Sequence, residues 1–259
     1  MLDTSFLPFI GFFVGLIVGL TGVGGGALLA PALLLLFGLD IRVVIATDLV
    51  FAAATKSVAS AMHFKNYFID WQIIKRLWLG SIPAAILMLF IIFQGLIFDG
   101  DSIISIIGFL VIISGISMLL SDVIQDRFKS IRINSPIKFK KWQAPLTILF
   151  GFVLGSLVTL TSLGAGALGA IVLRFLYPLR MKPHNIVGTD TLHAIPVTLI
   201  AGAGFFFMGF VNLELLSMLL IGSIPGALIG GALLKRTHPT AVKFLLSIVL
   251  IMTGFKIIY

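Results

Sequence analysis

The chain has 259 residues, of which 59% are hydrophobic and only 11% charged, and its mean hydropathy is +1.17. Soluble domains are about 45–50% apolar and about 25% charged, so the composition excludes a soluble fold and implies a bilayer protein. The absence of cysteine rules out disulfides and thiolate metal sites, and the net charge of +8 reads as basic cytoplasmic loops rather than a nucleic-acid interface.

In chain order, the N-terminus lacks a basic n-region and is not expected to be a cleaved signal. Residues 7–38 are apolar but interrupted by "LTGVGGGALLAP", where four glycines fall within positions 22–26. Full-length spans are expected at 43–63, 75–97 and 102–120, followed by a basic segment at 121–143. A second interrupted stretch covers 144–177, broken at "LTSLGAGALGA", and further spans are expected at 186–207, 213–234 and 242–258. The pieces flanking each break are about 12–16 residues, or roughly 18–24 Å, short of the ~30 Å hydrocarbon core.

The chain repeats itself. Gly11 aligns with Gly151, and eleven of the twenty positions starting there are identical, including Gly15/Gly155, Thr21/Thr161, Gly24/Gly164, Gly26/Gly166 and Ala27/Ala167. The offset of 140 then becomes 142, pairing Thr47-Asp48 with Thr189-Asp190 and "GSIP" at Gly80 with "GSIP" at Gly222. The chain therefore divides into a first membrane repeat (1–120), a basic cytoplasmic linker (121–143) and a second repeat (144–259).

Loop charges orient the two halves. Lys65, Lys75 and Arg76 mark a first-half loop whose partner near Asn212 carries only Glu214. Asp99 and Asp101 mark the next loop, whose partner carries Lys235, Arg236 and Lys243. The bias inverts, so the fold class is an all-α polytopic membrane protein of two inverted-topology repeats. Each repeat is a re-entrant broken hairpin plus three transmembrane helices. Fourteen of the eighteen Lys/Arg are then cytoplasmic, Arg42 and Lys256 lie outside, and Lys56 and Arg174 lie within the membrane. Eight full crossings would put basic and acidic loops on one face.

Irregular backbone at membrane depth survives only when buried in protein or lining a watery cavity. Glycine lets a ligand approach the backbone, and the helix restarting after each break offers unpaired N–H groups and a positive dipole end to an anion. Broken helices at a repeat interface point to a transporter's substrate site. The expected binding residues are Thr21, Gly22, Gly24, Gly25 and Gly26 in the first break, and Thr161, Ser162, Gly164 and Gly166 in the second. The two helix ends are expected to face each other near the midplane. Gly11, Gly15 and Gly19 have spacing that suits helix packing.

Lys56, near the centre of its span, is functional by default as an anion counter-charge or proton-coupled group; a structural pair with Asp48 or snorkelling is the alternative. His193, just before Pro196, is either a titrating site residue or a structural hydrogen bonder. Asp48 and Asp190 are candidates for proton or cation coupling, with helix capping at the start of their spans as the rival reading. Pro83 and Pro225 in "GSIP" mark matching kinks. No enzyme constellation, metal cluster or cofactor motif is present; "GVGGG" follows no strand of a βαβ unit.

"GLTGVGGGALLAPALLL", the "ATDL" opening of the next span and the second-half "TSLGAGALGA…GTD…GSIPG" resemble the sulfite exporter TauE/SafE family over essentially the whole chain. The resemblance implies a multi-pass protein of the bacterial inner membrane. It would move small anions such as sulfite, sulfoacetate or other sulfonates, generally outward. It also marks Thr21, Gly24–Gly26, Thr161, Gly164 and Gly166 as site positions. Ser162 stands where the first break has Gly22, and Ala165 where it has Gly25, so the two breaks make different contacts. An anion channel and a non-transporting assembly or sensor subunit, alone or as a homo-oligomer, are the rival functions; few polar residues per span disfavour a channel.

Overall fold

The computed structural model describes residues 6–21, 26–64, 69–95, 100–134, 136–163, 166–233 and 239–258. Among these, the chain forms α-helices and no strand. The helices are α1 (Leu7–Thr21), α2 (Gly26–Ala32, continued by a π turn Leu33–Phe37), α3 (Ile41–Phe64), α4 (Trp71–Phe93), α5 (Gly100–Asn134), α6 (Pro136–Thr161), α7 (Ala167–Leu176), α8 (Pro183–Phe207), α9 (Leu213–Leu233) and α10 (Pro239–Ile258). Only helices satisfy every backbone group within one segment in lipid, and exposed apolar side chains such as Phe13, Leu79 and Phe207 cover the outside.

Six helices are long and apolar enough to cross a membrane: Ile41–Ala61, Trp71–Phe93, Ser102–Leu120, Lys140–Thr161, Asn185–Phe207 and Leu213–Leu233. Five coincide with expected spans. The sixth, Lys140–Thr161, corrects the sequence reading: α6 runs 26 residues to Thr161 rather than stopping as a short piece. The described apolar part of the last expected span is the shorter Phe244–Ile258. Most of residues 121–143 are helical, taken up by the end of α5 and the start of α6.

The halves interleave. α1 packs on α9, and its counterpart α6 packs on α4; α3 packs on α8, and α5 on α10. The returning helices follow the same exchange, α7 resting on α5 and α2 on α10. Glycine sets how closely the partners approach. Gly11, Gly15 and Gly19 lie against the backbone of Leu219, Ser223 and Ala227, and Gly151 and Gly155 against Leu77 and Ser81. Rising numbers meet rising numbers, so both pairs run parallel. In α5 and α10, Gly108 meets Gly254 and Gly115 meets Ser247, so that pair is antiparallel.

The two broken segments are hairpins whose open ends meet. Gln143 of α6 donates to the Leu176 carbonyl at the end of α7 (2.6 Å), and the Thr147 and Tyr177 hydroxyls lie 2.7 Å apart. Leu7 and Phe37, at the two ends of the first hairpin, share one buried cluster with Leu215 and Leu216. At one end of the helices Arg180 clamps Asp70 (Nε–Oδ2 2.6 Å) and donates to Gln72 (2.9 Å). At the other, Arg42, Phe93, Gly95, Phe207 and Phe210 line an open cavity of about 580 Å³.

A side chain at Gly155 would collide with the Ser81 backbone, where neither helix has a flexible atom to move. Overpacking of this kind costs about 1–3 kcal/mol. Gly155→Val is expected to lower the melting temperature in detergent measurably, whereas Leu79→Val, on an exposed face, leaves it near wild type. Equal melting temperatures for the two variants would refute the close α4–α6 approach.

Candidate functional site

The polar content of the interior collects where α3 crosses α8. Asp48, Lys56, Asp190 and His193 are all buried, with Thr47, Thr55, Thr189, Thr191, Thr198, Ser81 and Ser223 around them. Asp48 and Asp190 are not helix caps: α3 begins at Ile41 and α8 at Pro183, which places each carboxylate two turns inside its helix. That corrects the capping reading. The threonines of the paired "TD" motifs tie the crossing to the loops instead. Thr47 Oγ1 accepts the Asn212 N–H (3.2 Å) at the start of α9, and Thr189 Oγ1 accepts the Asp70 N–H (3.3 Å) at the start of α4.

Lys56 is the one basic side chain placed at this crossing among the described residues, and it is attracted by Asp190 first and Asp48 second. The lysine therefore sits between carboxylates of two helices, Asp190 of α8 and Asp48 of α3. Asp190 also presses on α7, where a Cβ at Gly169 would strike its Oδ1. One oxygen of Asp190 and both oxygens of Asp48 have no hydrogen-bond partner. His193 Nε2 lies 2.9 Å from Ser81 Oγ, and its Nδ1 has no partner. The Trp78 indole donates to the His193 carbonyl (3.0 Å), next to the Leu192 carbonyl that Pro196 leaves without a donor.

The α6–α7 break reaches this cluster. Ser162 takes a left-handed backbone (φ 58°), and Gly166 has φ 136°. Left-handed backbone is costly for a side-chain-bearing residue, so Ser162 is held there against its own preference. Thr161 closes α6: its hydroxyl donates to the Leu157 carbonyl (2.7 Å) and accepts the Leu163 N–H (3.1 Å). Its proton is thus spent on the backbone. The Ser162 hydroxyl is buried and faces Asp48 without closing a hydrogen bond to it.

Of the expected binding residues, Gly22, Gly24, Gly25 and Gly164 lie outside the described residues, and Thr21 and Gly26 are described by backbone alone. Continuing the contact register, α1 ends at Thr21 level with Ile229 of α9, and α6 ends at Thr161 level with Leu87 of α4, so each entering helix runs beyond the midpoint of its partner helix.

Ser81, Ser223 and Trp78 were absent from the expected set. The two "GSIP" serines play matching parts, Ser81 bonding His193 of α8 and Ser223 bonding Thr55 of α3 (3.1 Å). The repeated motif was the available signal, read there through its prolines. Pro83 and Pro225 lie inside continuous, solvent- or lipid-facing stretches of α4 and α9.

Because Gly169 and Asp190 touch, Gly169→Ala and Asp190→Ala are expected to be non-additive in stability. The double variant loses less than the sum of the singles, by about 0.5–3 kcal/mol as is usual for residues in contact. Denaturation of all four proteins in detergent measures this, and strict additivity would remove the contact.

Comparison with known proteins follows the same lines. The chain is 37% identical over 252 residues to the probable membrane transporter protein YjnA of Bacillus subtilis, covering 96% of this chain and 97% of the relative. It is 24% identical over 271 residues to the probable membrane transporter protein YunE of the same organism, covering 98% and 96%. A third, the probable membrane transporter protein YdhB, is 25% identical over 85% of both chains. No solved structure matches the chain. The family described as Sulfite exporter TauE/SafE matches residues 7–257, and with its six apolar membrane-length helices the chain is a multi-pass membrane transporter protein belonging to that family.

Proposed function

We propose that the protein is a secondary transporter that moves small anions, sulfite, sulfoacetate or other sulfonates, outward across the cytoplasmic membrane. The repeats 1–120 and 144–259 are inverted in topology, each with a re-entrant hairpin, and the exchanged pairing of their helices supports this reading. The observation that carries the proposal is the arrival of the α6–α7 break, through Ser162, at a buried cluster holding a lysine.

The substrate charge is met by Lys56 and by the free amides that open α7 after Gly166. Thr21, Gly22, Gly24, Gly25 and Gly26 supply the matching surface from the other side, with Ser162, Gly164 and Gly166 opposite. His193, held by Ser81, borders the cluster. Two carboxylates beside an anion site repel the substrate unless they are neutralised, so transport is coupled to a proton or cation at Asp48 or Asp190. Alternating access arises from rocking of one group of helices against the other around this crossing.

Protein reconstituted in liposomes is expected to move sulfite or sulfoacetate saturably. Lys56→Ala and Gly25→Leu lower that flux at least about tenfold, equivalent to about 1.4 kcal/mol of lost binding. Wild-type flux in both variants would defeat the site, and flux in neither the wild type nor the variants would defeat the transporter reading.

A further inference from the structure

The duplication gives the crossing two carboxylates but one lysine, and this breaks the equivalence of the two halves. Under the offset of 142, Asp48 corresponds to Asp190, while Lys56 corresponds to Thr198. Asp190 thus has an ammonium where Asp48 has, at the matching place, a threonine. The Thr198 hydroxyl is already committed to its own helix, donating toward the Ala194 and Ile195 carbonyls (3.0 and 3.1 Å). Asp190 leaves one oxygen without a partner and Asp48 leaves both. What faces Asp48 is the Ser162 hydroxyl, on the left-handed residue of the break, where the first half has glycine.

We infer that the two carboxylates divide the work: Asp190 is the permanent counter-charge of Lys56, and Asp48 is the group that takes up and releases the coupling proton, next to the α6–α7 break. This rests on the transporter reading and deepens it. A buried carboxylate without hydrogen bonds is costly, and two negative charges against one positive leave one negative charge over. A proton removes it with one bond. The titratable group acting on Asp48 is Lys56 of its own helix, and Lys56 in turn faces Asp190 and His193 of α8. His193 Nε2 is engaged by Ser81 on α4.

Two measurements test this on the purified full-length protein. In pH-difference infrared spectra, acidification is expected to bring up the C=O band of a buried carboxylic acid. That band disappears in Asp48→Asn, shifts in Asp48→Glu and remains in Asp190→Asn. The experiment needs no substrate, so it stands even if sulfite is not transported. A band retained in Asp48→Asn, or lost in Asp190→Asn while the variant still elutes as a folded species, overturns the assignment. In liposomes with an internal pH dye, Asp48→Asn is expected to keep sulfite/sulfite exchange and lose sulfite-linked proton movement. Lys56→Gln with Asp190→Asn, which removes the fixed pair together, is expected to retain the Asp48 acid band in the infrared spectrum, and loss of that band in a folded double variant would also overturn the assignment. Proton movement in Asp48→Asn equal to wild type, or a requirement for sodium in place of a pH gradient, would sink the proposal.

Discussion

One lysine between two carboxylates, in the middle of a helix crossing, is the constraint around which this molecule is arranged. Neither charge sign is tolerable alone in a low-dielectric interior, and removing one partner of a buried pair typically costs about 3–5 kcal/mol. The crossing of α3 and α8 must therefore keep Lys56 near Asp190 and Asp48. Everything that fixes the depth and rotation of those helices serves that end. Thr47 and Thr189 tie them to the loops that start α9 and α4, and the two "GSIP" serines brace them from α9 and α4.

The second shell of the arrangement is backbone contact. In lipid there is little hydrophobic gain from bringing helices together, so close packing and hydrogen bonds must hold them. The glycines of α1, α4, α6 and α9 permit that approach, and they do so across the halves, with α1 on α9 and α6 on α4. Each hairpin leans on the opposite half, α1 on α9 and α2 on α10, α6 on α4 and α7 on α5, while α2 also packs on α3 and α7 on α8 of its own half. Leu163, just beyond the α6–α7 break, is buried with Ile45 and Leu49 of α3 and Ile107 of α5.

Duplication supplies a frame and divergence supplies function. Asp48 and Asp190 persist at matching places, as do Ser81 and Ser223. Lys56 against Thr198, His193 against Phe51 and Ser162 against Gly22 do not match. The chemically distinctive groups are thus the departures from symmetry. A transporter that must treat its two faces differently needs such departures, since a fully symmetric charge cluster would respond alike from both.

The sequence alone determined the environment, the helical class, most of the spans and the family, because apolar run length and a repeated motif are local properties that the bilayer reads directly. It also singled out Lys56, Asp48, Asp190 and His193, since a charge within an apolar run is conspicuous wherever it folds. It misjudged α6, whose apolar stretch continues into the amphipathic turn before Ala144, and it assigned Asp48 and Asp190 to helix starts that lie seven residues earlier. Only the tertiary structure decided that Lys56 lies near Asp190 of α8, that Ser81 holds His193, and that α1 rests on α9 and α6 on α4. Those are relations between residues far apart in the chain. They depend on which helices pack in parallel and at what register, and no local pattern of the chain encodes that choice.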